Sequence, residues 1–226
     1  MQNARSKNEE GFSLLELLIG MTITLILLAV VSSLVSRATS VNSREERKGD
    51  ALVSAQAALN VMSREIGNSG FGIFTDAVSQ TPNNGLVLPD SNANRIHFRS
   101  NFENVGDYVH AADDSVVNTI EPGEDVTYYF DNATQSIVRY DPNPKVGAPT
   151  TSVIVNRISN VTFQYYNYTT SSSTVTETST PTSATGRVRI TVQVTLDPIV
   201  GQPDNQVVTF SSDITLRNSS YMLRQY

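Results

Sequence analysis

The sequence predicts an α+β fold: a long N-terminal helix, membrane-spanning in its first half, with an antiparallel β-sheet domain packed on its second half. Three observations carry that prediction. Leu17–Val35 is a run of 19 residues without a charge. The apolar residues that follow recur with the period of a helix, and beyond residue 70 the period changes to two.

The uncharged run would extend about 28 Å as a helix, close to the hydrocarbon thickness of a bilayer. Gly20, Thr22 and Thr24 interrupt its Leu- and Ile-rich character only mildly. A cleavable secretory signal is the rival reading, but Leu34-Val35-Ser36-Arg37 offers no small-x-small processing site. The helical pattern then continues past a charged stretch, Arg44 to Asp50, into Leu52, Ala55, Leu59, Met62 and Ile66, spaced 3, 4, 3 and 4 apart. No proline occurs before Pro82, and Gly67-Asn68-Ser69-Gly70 supplies the stop. One helix from about Phe12 to Ile66 follows, with residues 12–36 seeking lipid or other helices. Residues 37–68 are its exposed, amphipathic half.

Residues 69–226 are expected to form the β-rich domain. Arg95–Arg99, Asp125–Phe130, Ser136–Tyr140, Val153–Val155, Val161–Tyr168, Arg187–Leu196 and Gln206–Leu216 read as strands separated by turn residues. The cleanest alternation places Val188, Ile190, Val192 and Val194 on one face. Thr169–Gly186, with thirteen Ser or Thr in eighteen residues, reads as a long, mobile hairpin loop.

Composition points away from most catalysts. The 226 residues contain no cysteine, which removes disulfides, thiolate metal sites and cysteine nucleophiles. Sixteen Lys+Arg against 22 Asp+Glu give a net charge of −6, which argues against nonspecific nucleic-acid binding by the whole chain. His97 and His110 lie too far apart to ligate from one helix turn. No Ser-His-Asp pattern or phosphate-binding glycine loop has a fitting context, and no cofactor is implied.

Gly11-Phe12-Ser13-Leu14-Leu15-Glu16-Leu17-Leu18 resembles the processing motif of type IV prepilins and the related type II secretion pseudopilins. The resemblance implies a leader, residues 1–11, that a prepilin peptidase removes after Gly11, methylating the new amine of Phe12. Glu16 matches the family's glutamate four residues beyond that amine. Leu59–Phe71 looks like the helix end of W-class minor pilins and, more loosely, of J-type pseudopilins. Ile214-Thr215-Leu216-Arg217-Asn218 looks like their closing strand.

The implied function is structural, not enzymatic: a minor pilus subunit, assembled into or initiating the filament. The implied partners are the prepilin peptidase/methyltransferase, other pilins or pseudopilins, an inner-membrane assembly platform and membrane lipid. The chain would sit in the bacterial inner membrane with its domain outside, then in a surface or periplasmic filament. A minor pseudopilin of a secretion system is the runner-up. A signal-anchored surface enzyme or binding module is the alternative from another class.

A carboxylate in a membrane helix costs several kcal/mol unless it is paired or reaches the interface. Glu16 therefore either snorkels and favours the positive helix end, or pairs with a methylated α-amine, its own or a neighbour's. The chain departs from the family pattern in having Asn8-Glu9-Glu10, not a basic residue, before Gly11. Basic residues after the span outnumber those in the leader, so orientation follows from the resemblance and not from charge.

Other candidate sites are weaker. Asp113-Asp114, Glu121 and Glu124-Asp125 lack the ordered spacing of a calcium loop and read as solvated carboxylates. Sequons begin at Asn132, Asn160, Asn167 and Asn218, a frequency expected by chance in an Asn-, Ser- and Thr-rich chain. Tyr165, Tyr166 and Tyr168 on one strand read as packing residues.

Overall fold

The computed structural model describes residues 13–73, 81–102, 122–143, 150–168, 174–196 and 206–224. Its first element is one long helix, α1 (Leu14–Gly67), of 54 residues. Eight strands follow: β1 (Arg95–Arg99), β2 (Asp125–Asp131), β3 (Ser136–Asp141), β4 (Thr150–Val155), β5 (Asn160–Tyr168), β6 (Val175–Thr178), β7 (Thr185–Thr195) and β8 (Val207–Thr215). The chain divides into two compact units, Met1–Glu46 and Arg47–Tyr226.

In the second unit the strands form two four-stranded antiparallel sheets, ordered β1-β2-β3-β4 and β6-β5-β7-β8. Their inner faces and the last turns of α1 enclose one core. Val188, Ile190, Val192 and Val194 point inward from β7, meeting Val161, Phe163 and Tyr165 of β5. Ile96, Phe98, Val126, Tyr128 and Ile137 come from the other sheet. Tyr165 joins the two sheets: its ring is buried, and its hydroxyl donates to the carbonyls of Asn92 at 3.0 Å and Arg95 at 3.2 Å. Burial pushes that hydroxyl's pKa well above its ordinary value.

Ala55, Leu59, Met62 and Ile66 lie in this core, but Leu52 does not; it is 44% exposed. The buried stripe instead begins at Ala51 and runs through Ala55, Ala58, Met62 and Ile66. Leu52 sits about 100° round the helix from Ala51, since each residue advances by that angle. A reading by hydrophobicity selects the larger side chain. Packing selects the small one, because alanine lets the helix backbone approach the sheets.

A polar bond also fixes the helix on its sheet. Glu65 accepts hydrogen bonds from the Tyr128 hydroxyl at 2.7 Å and Arg139 Nε at 3.0 Å, and Arg139 Nη1 reaches Asp141 at 3.3 Å. The helix ends where Gly70, at φ +78°, packs against the Asn83–Gly85 turn. A Cβ there would lie 2.0 Å from the Asn83 carbonyl oxygen, so the close approach requires glycine.

The predicted strands are present with ends shifted by up to three residues, but the Ser/Thr tract departs from its reading as a mobile loop. Within it Val175–Thr178 forms β6, paired with Tyr165–Tyr168, and Thr185 opens β7. Threonine and valine are β-branched and fit a pleated strand although they bring little hydrophobicity. Buried Asn167 organises the return. Its amide donates to Thr178 Oγ1 at 3.1 Å, and its Oδ1 accepts from Thr185 Oγ1 at 2.6 Å and Thr182 Oγ1 at 3.0 Å.

Removing Asn167 takes away the acceptor of the buried Thr185 hydroxyl. Asn167→Ala is therefore expected to cost about 1–3 kcal/mol in urea unfolding. Exposed Thr176→Ala should stay within about 0.5 kcal/mol. Equal, small effects at both positions would restore the loop reading.

Candidate functional site

The sequence places the functional chemistry at the start of α1. Gly11 and Phe12 lie outside the described residues; Ser13 and Glu16 lie within them. Ser13 precedes the first helical residue, and its Oγ accepts the backbone N–H of Leu15 at 3.3 Å. The Glu16 carboxylate reaches back to accept the N–H of Ser13 at 3.2 Å. Together they make a reciprocal capping box, in which two otherwise orphaned helix donors gain partners. Its negative charge also lies at the positive end of the helix dipole.

Glu16 is thus engaged within its own chain. Ser13 was missed as a functional residue in the sequence, although the signal was legible: Ser13-Leu14-Leu15-Glu16 is the S-x-x-E pattern that opens helices. The capping box does not compete with the resemblance, because the Ser13 N–H survives a cut after Gly11.

From Ser13 to Thr39 every residue is exposed. The Leu17–Val35 stretch of this span carries no charge on any face, as expected for a helix that lies in lipid or among other helices. It is long and apolar enough to cross a membrane. Its two internal threonines are satisfied locally: Thr22 Oγ1 donates to the Ile19 carbonyl at 2.8 Å, and Thr24 Oγ1 to that of Gly20 at 2.7 Å. Neither hydroxyl therefore needs water. Gly20 leaves a shallow, open notch beside Glu16, flanked by Met21 and Thr24. The carboxylate consequently stands at the mouth of an otherwise apolar groove.

The weaker candidates resolve differently. His110, Asp113, Asp114 and Glu121 lie outside the described residues. Glu124 and Asp125 are not solvated but buried. Glu124 accepts the N–H of Phe102 at 2.7 Å. Asp125 accepts from Arg99 Nε at 3.1 Å and is hydrogen-bonded to His97 Nε2, while His97 Nδ1 meets Asp90 at 2.8 Å. Burial alone would raise the Asp125 carboxyl, but the bond and charge of His97, with Arg99, hold it below its ordinary value. Register explains the error: Arg99 and Asp125 face each other across β1 and β2, which spacing along the chain does not show. Among the described residues no group of three His, Cys, Asp or Glu side chains is arranged to hold a metal ion.

At two sequons the asparagine amide is already committed. Asn167 donates to Thr178, and Asn218 donates to the Ser69 carbonyl at 3.0 Å. Of the three clustered tyrosines, Tyr165 is core. Tyr166 lies under the Arg187 guanidinium, 4.1 Å from its ring centre, and Tyr168 stacks on Tyr221 with centroids 4.2 Å apart.

Residues 6–32 match the family model described as the prokaryotic N-terminal methylation motif, the motif of type IV pilin-like chains. The match covers the capping box and most of the apolar span. Comparison with curated proteins and with solved structures returns no match. An apolar N-terminal helix with antiparallel sheets packed on its later turns is a pilin-like layout.

Proposed function

We propose that this chain is a minor structural subunit of a type IV pilus. Its leader would be removed by a prepilin peptidase, its new N-terminus methylated, and the mature subunit incorporated into a filament or used to initiate one. The observation that carries this reading is the methylation motif at residues 6–32, set at the start of a helix that leads into a β domain. The apolar span supports storage in the bacterial inner membrane before extraction into a filament core. The notch beside Glu16 gives a neighbouring helix room to approach that carboxylate.

Co-expression with a prepilin peptidase tests the proposal. Removal of the first eleven of the 226 residues leaves 215, beginning at Phe12. Intact mass and N-terminal sequencing should show that chain carrying one additional methyl group, and Gly11→Val should abolish the cut. An intact chain beginning at Met1 in both cases would instead support the signal-anchored module.

A further inference from the structure

The outer face of the first sheet carries an open groove lined by Arg95, Thr127, Tyr129 and Tyr140, with Phe130, which also packs against the core. Two rows of side chains cross that face in register: Arg95–Tyr129–Val138 and His97–Thr127–Tyr140. Asn92 and Asn94, in the turn before β1, close one end. The groove is open to solvent, with a volume of about 550 Å³, within the range of small-molecule sites.

Several of its polar groups are not consumed by the fold. The hydroxyls of Tyr129 and Tyr140 and the side-chain amide of Asn94 make no hydrogen bond to any described residue. Arg95 Nε is buried and has no partner, although Arg95 Nη2 donates to Asp90 at 2.7 Å. A buried, unpartnered N–H is costly and marks a place where an acceptor would be stabilised. Neither tyrosine ring stacks on another aromatic ring among the described residues, and both side chains are partly exposed.

The groove therefore sets two partly exposed tyrosines beside separate hydrogen-bond donors and acceptors. A pyranose ring has the complementary surface: C–H groups on its faces and hydroxyls at its edge. An anionic ligand fits less well, because Asp90 already pairs with Arg95, and Asp125 lies beside His97 and Arg99. A purely apolar ligand would strand the amide and the guanidinium N–H.

We propose that this groove binds a neutral saccharide unit of a glycan or polysaccharide. The site stands whether or not the chain enters a filament.

The test uses the full chain in a detergent without a sugar headgroup, which would otherwise compete. Chitohexaose, cellohexaose and maltohexaose are the neutral probes; dextran sulfate and a polyproline peptide represent the excluded classes. With nine tyrosines and no tryptophan, tyrosine emission reports occupancy directly, and calorimetry measures affinity.

At least one neutral hexasaccharide should bind saturably, with a Kd of about 1 mM or tighter. Tyr129→Ala and Tyr140→Ala should each weaken it about tenfold or more, and Asn94→Ala about threefold or more. Tyr221→Ala, at a ring stacked on Tyr168, should leave affinity unchanged. If a tyrosine variant loses its circular dichroism, exposed Asn94→Ala and the ring-preserving Tyr129→Phe decide the matter. Unchanged affinity in both overturns the site. So does the absence of neutral-probe binding up to about 10 mM, or binding confined to dextran sulfate or the peptide.

Discussion

Glu16→Gln is expected to leave the chain synthesised, inserted and cut after Gly11, while its recovery in sheared filaments falls at least about tenfold. The reason lies in the local geometry. Glu16 closes a capping box with Ser13, and glutamine at the same position can make the same bond to the Ser13 N–H. Gln therefore preserves the helix start and removes only the charge. Glu16→Ala removes both, at a capping cost of about 0.5–2 kcal/mol. If the carboxylate pairs with the methylated amine of Phe12 on a neighbouring subunit, both variants lose incorporation, because an ion pair in an apolar bundle is directional and sets axial register. Membrane insertion should be unaffected or slightly favoured in each. The measurement is the fraction of cleaved subunit found in filaments or bound to partner prepilins. Wild-type recovery for Gln with a deficit for Ala would reduce Glu16 to a helix cap. Wild-type recovery for both would leave the pilin reading resting on the cut after Gly11 alone.

Met62→Ala should destabilise the β domain by about 2–5 kcal/mol, because Met62 is fully buried in the core that the helix shares with the strands. Leu52→Ala is the informative companion. The stripe drawn from sequence predicts a comparable loss there, whereas a side chain 44% exposed predicts a change within about 0.5 kcal/mol. Asn60→Ala, off the stripe and exposed, should also be near neutral. Urea unfolding of the full chain in micelles, followed by circular dichroism of the sheets, separates these outcomes. Equal losses at Met62, Leu52 and Asn60 would mean that the helix does not present a single face to the domain.

Much of this molecule was legible without coordinates, and what was legible was local. The absence of charge from Leu17 to Val35, the glycine cluster after Ile66 and the alternation from Val188 to Val194 each act within a few residues. They specify a membrane-length helix, its end, and a strand with one buried face. The Gly11-Phe12 junction and Glu16 are local as well, which is why the methylation motif could be read directly. Ser13 was equally legible through its spacing to Glu16.

Tertiary structure decided everything that depends on residues distant in sequence. It placed Ala51 and not Leu52 against the sheets, because the approach of a helix backbone favours a small side chain that hydrophobicity ranks low. It turned Val175–Thr178 into a strand, because Tyr165–Tyr168 offers backbone partners and Asn167 collects three threonine hydroxyls. It also buried Asp125 against His97 and Arg99 and set Tyr129 beside Arg95, since antiparallel register juxtaposes side chains some thirty positions apart. Such pairings have no signature in spacing along the chain, and they exist only once the backbone hydrogen bonds of the sheet have formed.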